Sequence, residues 1–350
     1  MRTGRRFIID DRRSPVALVR QVTSALIRRV AYICALSVVL FCVIHAMPGG
    51  LAGVYRTLDP NLTQAEIDRL LTLEGRNHSV LQQYRCWCLG RTVDGCERWP
   101  GGGILRGDLG FSRRFQRPVV DLLMERLGHT IRIMVPAILL AILIAVVCGW
   151  GAARWEGRWI DRSIRVVTVA LQSAPLQWSG LMAILVGAIY LSVFPPGGVT
   201  DFGQDTWRSR FWHAVLPVLC LSAYYGAFWT RYLRMALLSA AARPHVTAAR
   251  AKGLSEIQVW RHHIVPQGLV PMLTSISITI PSVFSGVLVI EKVFSYPGLG
   301  LLMFDSIRFQ DPLTAMVGFL LYAMLAMLAT VAADALVGWL HPEALRRSAR

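Results

Sequence analysis

The sequence predicts an all-α polytopic membrane protein with six transmembrane helices. Three observations carry that prediction. Of 350 residues, 54% are hydrophobic and 17% charged, against about 25% charged in ordinary soluble domains. Six apolar runs approach or exceed the ~20 residues that a bilayer crossing needs: Val30–Met47, Ile133–Ala153, Val166–Phe194, Phe211–Thr230, Ile264–Ile290 and Pro312–Ala333. None contains Asp, Glu, Lys or Arg, and six such runs cannot all be buried in one soluble core. The third observation is that the positive charge alternates with the runs.

The net charge is +16, and the only lysines are Lys252 and Lys292. With a cytoplasmic N-terminus, the inner segments 1–29, 154–165, 231–263 and 335–350 carry 21 of the 37 basic residues against six acids. The inner side is therefore +15 and the outer side about neutral, as the positive-inside rule requires. The outer loop Gly49–Gly128 holds 11 arginines, but loops beyond ~60 residues cross largely regardless of charge. Nucleic-acid binding is excluded, because the basic residues flank apolar runs instead of sharing one face.

The expected organisation is a basic cytoplasmic tail over 1–29, a transmembrane domain over 30–334 and a cytoplasmic tail over 335–350. The first run ends at Ala46-Met47-Pro48 with no small-residue cleavage site, so it reads as an uncleaved anchor. Arg5, Arg6, Arg12 and Arg13 before it suit an anionic lipid surface. In the outer loop 49–128, Leu62–Leu73 reads as an amphipathic helix begun by a Thr63/Glu66 capping box. Val119–Leu127 reads as a helix leading into the second run. Cys86, Cys88 and Cys96 lie on this oxidising face, and one disulfide is expected, Cys96 with Cys86 or Cys88; a soft-metal site with His78 has no matching spacing. The segment Glu291–Asp311 reads as a loop with a Pro297-Gly298 turn.

The informative stretch is the cytoplasmic elbow, 238–263, continuing to Pro266. Pro244 suits the first turn of a helix, and Gly253 suits the left-handed residue that stops it. Ser255, with Gln258 three residues on, restarts a helix as a capping box. Ile257, Trp260 and Ile264 are expected to line one face of it. Small Ala248, Ala249 and Gly253 would admit a partner closely. Pro266, Pro271 and Pro281 are expected to kink the fifth span. Its hydroxyls, Thr274 to Ser285, suit interhelical packing or a polar pathway.

Ala248, Ala249, Gly253 and Pro266 stand at the spacing of the EAA motif of ATP-binding-cassette (ABC) importer permeases, with Thr247, His263 and Val265 as departures. Thr247-Ala248-Ala249-Arg250-Ala251-Lys252-Gly253-Leu254-Ser255 resembles the dipeptide/oligopeptide branch of that family. So do Gly107-Asp108-Leu109-Gly110-Phe111-Ser112, Ser173-Ala174-Pro175, and Phe294-Ser295-Tyr296-Pro297-Gly298-Leu299-Gly300. The resemblance spans about residues 26–345. It implies type I ABC importer architecture in a bacterial cytoplasmic (inner) membrane and import of peptides, with both termini cytoplasmic. It implies ATPase coupling through Thr247, Ala248, Ala249, Gly253, Leu254, Ile257, Trp260 and Pro266. It marks Ser295, Tyr296, Pro297, Gly298 and Gly300 as a family loop. The implied partners are a second homologous permease, two cytoplasmic ABC ATPases, an extracytoplasmic binding protein and membrane lipid.

The chain itself is not expected to be an enzyme or to bind a cofactor. Lys252 follows Ala251 and Lys292 follows Glu291, so neither can be a phosphate-binding-loop lysine; ATP and Mg would be used by the partners. His262 and His263 are adjacent and face different ways on a helix. The competing reading, an ATP-independent secondary transporter or channel, usually places ionisable residues at mid-membrane, and the six runs hold no acid or base.

Overall fold

Ile133, Ala137, Ala141, Ala145 and Gly149 recur every four residues and are all buried. Spacing by four keeps small side chains on one helix face, so a second helix can approach closely. In the computed structural model that helix is Trp207–Ala241. A Cβ placed on Gly149 would lie 3.0 Å from the Leu233 Cβ, and one on Gly226 would lie 3.2 Å from the Ala141 carbonyl. The opposite stripe, Leu139, Leu143 and Val147, is exposed, as a lipid-facing stripe is.

Residues 15–46, 61–73, 79–91, 94–97, 103–112, 114–201, 203, 205–309 and 311–340 are described, excepting the side chains at 15–26, 44, 73 and 336–340. The arginine tail before residue 15, His78 and the segment 341–350 lie outside them. The helices are α1 (Pro15–Ala46), α2 (Gln64–Leu73), α3 (Val80–Leu89), α4 (Val119–Arg154), α5 (Trp159–Ser173) and α6 (Leu176–Ala183). They continue as α7 (Trp207–Ala241), α8 (Pro244–Ala251), α9 (Glu256–Val259), α10 (Val265–Val293), α11 (Leu299–Arg308) and α12 (Pro312–Leu340). A short antiparallel pair, β1 (Phe111–Ser112) and β2 (Arg117–Pro118), precedes α4. α7 packs on α4, α5 and α10, and α10 packs on α11 and α12. α1 lies against α12 and α3.

Among the described residues, four helices are long and apolar enough to cross a membrane: Val119–Arg154, Trp207–Ala241, Glu256–Val293 and Pro312–Ala335. The first apolar run lies on the 32-residue α1. The third run departs from the single straight span expected. It is a bent pair, α5 followed by α6 with a π-helical continuation Ile184–Tyr190, and the angle is 102°. Pro175 is the cause: Ala174 before it is extended (φ −88°, ψ 137°), as the ring at Pro175 demands of its predecessor. Hydropathy reads across that break because both halves are apolar.

Pro271 and Pro281 lie inside α10 without ending it. Ahead of them a π turn runs over Trp260–Ile264, where the Val265 N–H donates to the Trp260 carbonyl. Pro266 has no N–H and its ring would crowd the carbonyl four residues back; the wider turn relieves that. Glu291–Asp311 is more than a loop, since ten of its residues form α11.

Candidate functional site

The elbow follows the end of α7. Arg243 is extended and Pro244 opens α8. α8 ends in a Schellman motif: the Gly253 N–H donates to the Arg250 carbonyl at 3.0 Å and the Leu254 N–H to the Ala249 carbonyl at 3.4 Å. Both bonds need a left-handed residue after the helix, and Gly253 supplies it at φ +82°. The capping box then forms in both directions. Ser255 N–H donates to Gln258 Oε1 at 3.0 Å, and Gln258 N–H donates to Ser255 Oγ at 3.4 Å. Arg250 bridges the turn to Glu256 at 2.8 Å. α9, the π turn and α10 follow as one 38-residue helix.

This elbow has two sides. Val246 and Ala249 are buried, as are Val259, Trp260 and Ile264. Thr247, Ala248, Gly253, Leu254 and Ile257 are exposed, and Pro266 is half-buried. Ala249 therefore faces the protein instead of lying on the open surface with Ala248. Ile257 departs from the expected face with Trp260 and Ile264 and is 80% exposed. The π turn, which breaks the 3.6-residue repeat between Ile257 and Ile264, accounts for the change, and Val259 is buried in place of Ile257.

Behind the elbow, a carboxylate clamps α5 to α7. Asp161 is fully buried and accepts from Arg234 at 2.7 and 2.8 Å, and from the Gly157 N–H at 3.0 Å. The two parallel bonds are the fork that a guanidinium offers a carboxylate. Arg234 lies seven residues before α7 ends, so the clamp fixes the helix that feeds the elbow.

At the other end of α10 lies a second buried carboxylate that sequence reasoning missed. Glu291 accepts from the Thr130 hydroxyl at 2.6 Å, the Gly300 N–H at 2.7 Å and the Leu301 N–H at 3.1 Å. The two amides belong to the first turn of α11, whose N–H groups have no partner within the helix. Glu291 thus caps α11 from another helix. This geometry accounts for the glycines of the family loop. A Cβ on Gly298 would lie 2.0 Å from Glu291 Oε1, and one on Gly300 would lie 2.6 Å from the Leu288 Cα. Tyr296 is buried against His129, with ring centroids 5.9 Å apart. Ser295 takes φ +48° to make the turn. Pro297 lies between Tyr296 and Gly298.

Ser112, the last residue of the Gly107–Ser112 element, reaches α12. Its hydroxyl donates to Asp311, which also accepts from Thr314 at 2.8 Å; all three are buried. In the outer loop, Cys86 and Cys96 form a disulfide with Cα atoms 5.3 Å apart, and Cys88 is a free thiol. Among the described residues no group of His, Cys, Asp and Glu could hold a metal ion.

The profile of the family described as "Binding-protein-dependent transport system inner membrane component" matches residues 141–346. The chain belongs to this family. This permease is 31% identical over 283 residues to a putative peptide permease protein of Brucella suis biovar 1, covering 79% of this chain and 83% of that one. It is 29% identical over 309 residues to the oligopeptide transport system permease protein AppB of Bacillus subtilis, covering 88% and 93%. Its fold matches a chain of the inward-facing MetNI methionine ABC transporter, with TM-score 0.51 and 17% identity over 63% of this chain and 97% of that one. The permease is thus a membrane subunit of an ABC importer, of the type named for peptides, and not itself an enzyme. Family membership implies ATP hydrolysis on partner ATPases and substrate delivery by a binding protein.

Proposed function

We propose that this permease imports peptides across a bacterial cytoplasmic membrane, with both termini on the cytoplasmic side. It pairs with a second homologous permease and engages two cytoplasmic ATPases, while an extracytoplasmic binding protein delivers the substrate. Peptide import rests on the names of the relatives; the orientation rests on the inner charge of +15. The cytoplasmic elbow 238–263, with Pro266, is the coupling element, on the same side of the membrane as the tails 1–29 and 335–350. Thr247, Ala248, Gly253, Leu254 and Ile257 meet the ATPase, while Ala249 is buried, Trp260 packs against Trp150 and Arg154 of α4 and Pro266 opens α10.

The observation that carries this reading is the exposed helix–glycine–helix elbow, continuous through a π turn with a 38-residue membrane helix. A push on α9 is transmitted along α10 as a rigid-body motion, the kind of movement alternating access uses. Ala248→Trp tests it. Ala248 is exposed, so a bulky side chain there adds volume without disturbing packing. The expected result is a folded permease that no longer co-purifies its ATPase or no longer imports peptide. Normal co-purification together with normal uptake would overturn the docking assignment.

A further inference from the structure

The middle of α5 exposes apolar residues where a helix that meets water would expose polar ones. Its buried positions are Asp161 and Thr168, while Trp159, Val166, Val167 and Val169 are exposed. Arg162, Ser163 and Arg165 are exposed in its first turns, whereas from Val166 to Ala170 the exposed residues are all apolar, as on a helix face set against hydrocarbon. Trp159, at its start, is the residue type enriched at the membrane–water boundary. Beside this helix, between α5 and α7, lies a cavity of about 640 Å³ lined by Arg162, Arg165, Arg231, Arg234, Val166 and Val169 among others. Arg162 and Arg165 immediately precede the third apolar run, and Arg231 immediately follows the fourth. The cavity therefore lies at the edge of the apolar zone and is lined by both guanidinium groups and valines.

Its charges are only partly answered from within. Asp161 is taken up by Arg234 in two bonds, with Arg165 3.4 Å away. Arg231 bonds Gln172, which is neutral, and its buried Nε has no partner. Arg162 makes no side-chain bond among the described residues and is exposed. Four cations against one buried carboxylate leave a site that suits an anion with an apolar body.

We propose that this cavity binds an anionic phospholipid, its phosphodiester held by Arg162 and Arg231 and its acyl chains laid along Val166 and Val169. Arginine suits phosphate because its planar fork offers paired N–H donors. Basic pockets between membrane helices hold lipid headgroups by this chemistry. The site lies beside the Asp161–Arg234 clamp, so a bound lipid would brace α5 against the end of α7. The proposal needs the edge of the apolar zone and not the identity of the leaflet, so it stands apart from the orientation argued above.

The test uses the full chain, purified in detergent and titrated with phosphatidylglycerol or phosphatidylcholine, with bound lipid counted by native mass spectrometry. The wild-type chain is expected to retain phosphatidylglycerol preferentially. Arg162→Ala should weaken that retention about fivefold, the loss of one arginine–headgroup contact, and leave phosphatidylcholine unchanged; Arg162→Glu should weaken it further. Arg162 is exposed and unbonded, and an unchanged yield and melting temperature would show that the variant folds. Equal retention of the two lipids, or no change in Arg162→Ala, would overturn the proposal. So would a photo-crosslinking residue at 162 that captures the second permease in place of lipid, or lowered uptake at unchanged lipid retention.

Discussion

The Thr130 hydroxyl and the Glu291 carboxylate lie 2.6 Å apart, although 161 residues separate them. The same hydroxyl oxygen accepts the Leu299 N–H at 2.8 Å. One threonine thus ties α4, the end of α10 and the start of α11 together. Its donor and acceptor are both used in a place closed to water. Thr130→Val keeps the shape and removes both bonds, leaving a buried carboxylate oxygen and a backbone N–H short of a partner. Such a loss costs about 1–3 kcal/mol. The melting temperature of the purified permease should fall for Thr130→Val and recover in Thr130→Ser. An unchanged melt in the valine variant would refute the lock.

The glycines around this lock separate crowding from backbone strain. Gly300→Ala places a methyl group 2.6 Å from the Leu288 Cα, and neither backbone can yield. Overpacking of this kind costs about 1–3 kcal/mol. Gly128, in α4, has nothing within 4 Å of its Cβ position. Alanine there should stabilise by about 0.5–1 kcal/mol, the helix-interior difference between the two residues. Opposite signs for the two substitutions in one thermal-shift series are the expected outcome. Equal effects would mean the close approach at Gly300 is not maintained in solution.

How much of this was legible in the sequence depends on separation along the chain. The Schellman glycine at Gly253 and the Ser255–Gln258 box were readable because both close within five residues, where side-chain type and backbone conformation decide together. The break at Ala174-Pro175 was present in the letters, yet average apolarity hid it. Ile257 was misplaced because a helix face was projected at 3.6 residues per turn, and Pro266 forces a wider one. Glu291 bordered the fifth run beside a recognised loop, but nothing local pairs it with Thr130. Asp161 and Arg234 are 73 residues apart, and only packing of α5 on α7 brings them together.

That last pair makes a prediction on stability. Asp161 is fully buried and the Arg234 side chain is 17% exposed. Asp161→Ala leaves a guanidinium and the Gly157 N–H without their acceptor. A fully buried pair broken this way costs about 3–5 kcal/mol, and the partial exposure of Arg234 places the expected loss at the low end. Arg234→Lys keeps the charge but cannot make both bonds, so its melt should fall between wild type and Asp161→Ala. Lysine matching arginine would show that charge alone, without the fork, holds α5 to α7.

Gly253 distinguishes conformation from bulk in the elbow. At φ +82° with nothing within 4 Å of its Cβ position, it is constrained by backbone and not by neighbours. Asparagine enters the left-handed region readily, whereas a β-branched residue does not. Gly253→Asn should therefore preserve the turn and ATPase co-purification, and Gly253→Val should lose both. Loss in the asparagine variant with an intact fold would mean that the partner requires the bare glycine surface itself.

The outer loop offers a chemical readout. Cys86 and Cys96 are joined across a sequence separation of ten, and closing a loop of that size contributes about 3 kcal/mol on the chain-entropy account. Cys88 remains a thiol on the same helix, where burial pushes its pKa above the ordinary value, with the Tyr84 hydroxyl bond partly opposing that rise. A raised pKa leaves less thiolate at neutral pH, and the thiolate is the reactive form. Without reductant, a maleimide should leave Cys86 and Cys96 untouched. It should modify Cys88 slowly at neutral pH and faster as the pH rises toward its shifted value. After reduction, Cys86 and Cys96 should become reactive, and the contacts of α3 with α1 through Phe41, Tyr84 and Trp87 should loosen, raising hydrogen exchange over residues 80–89. Labelling of Cys86 before reduction, or exchange unchanged after it, would remove the disulfide as the staple of this loop.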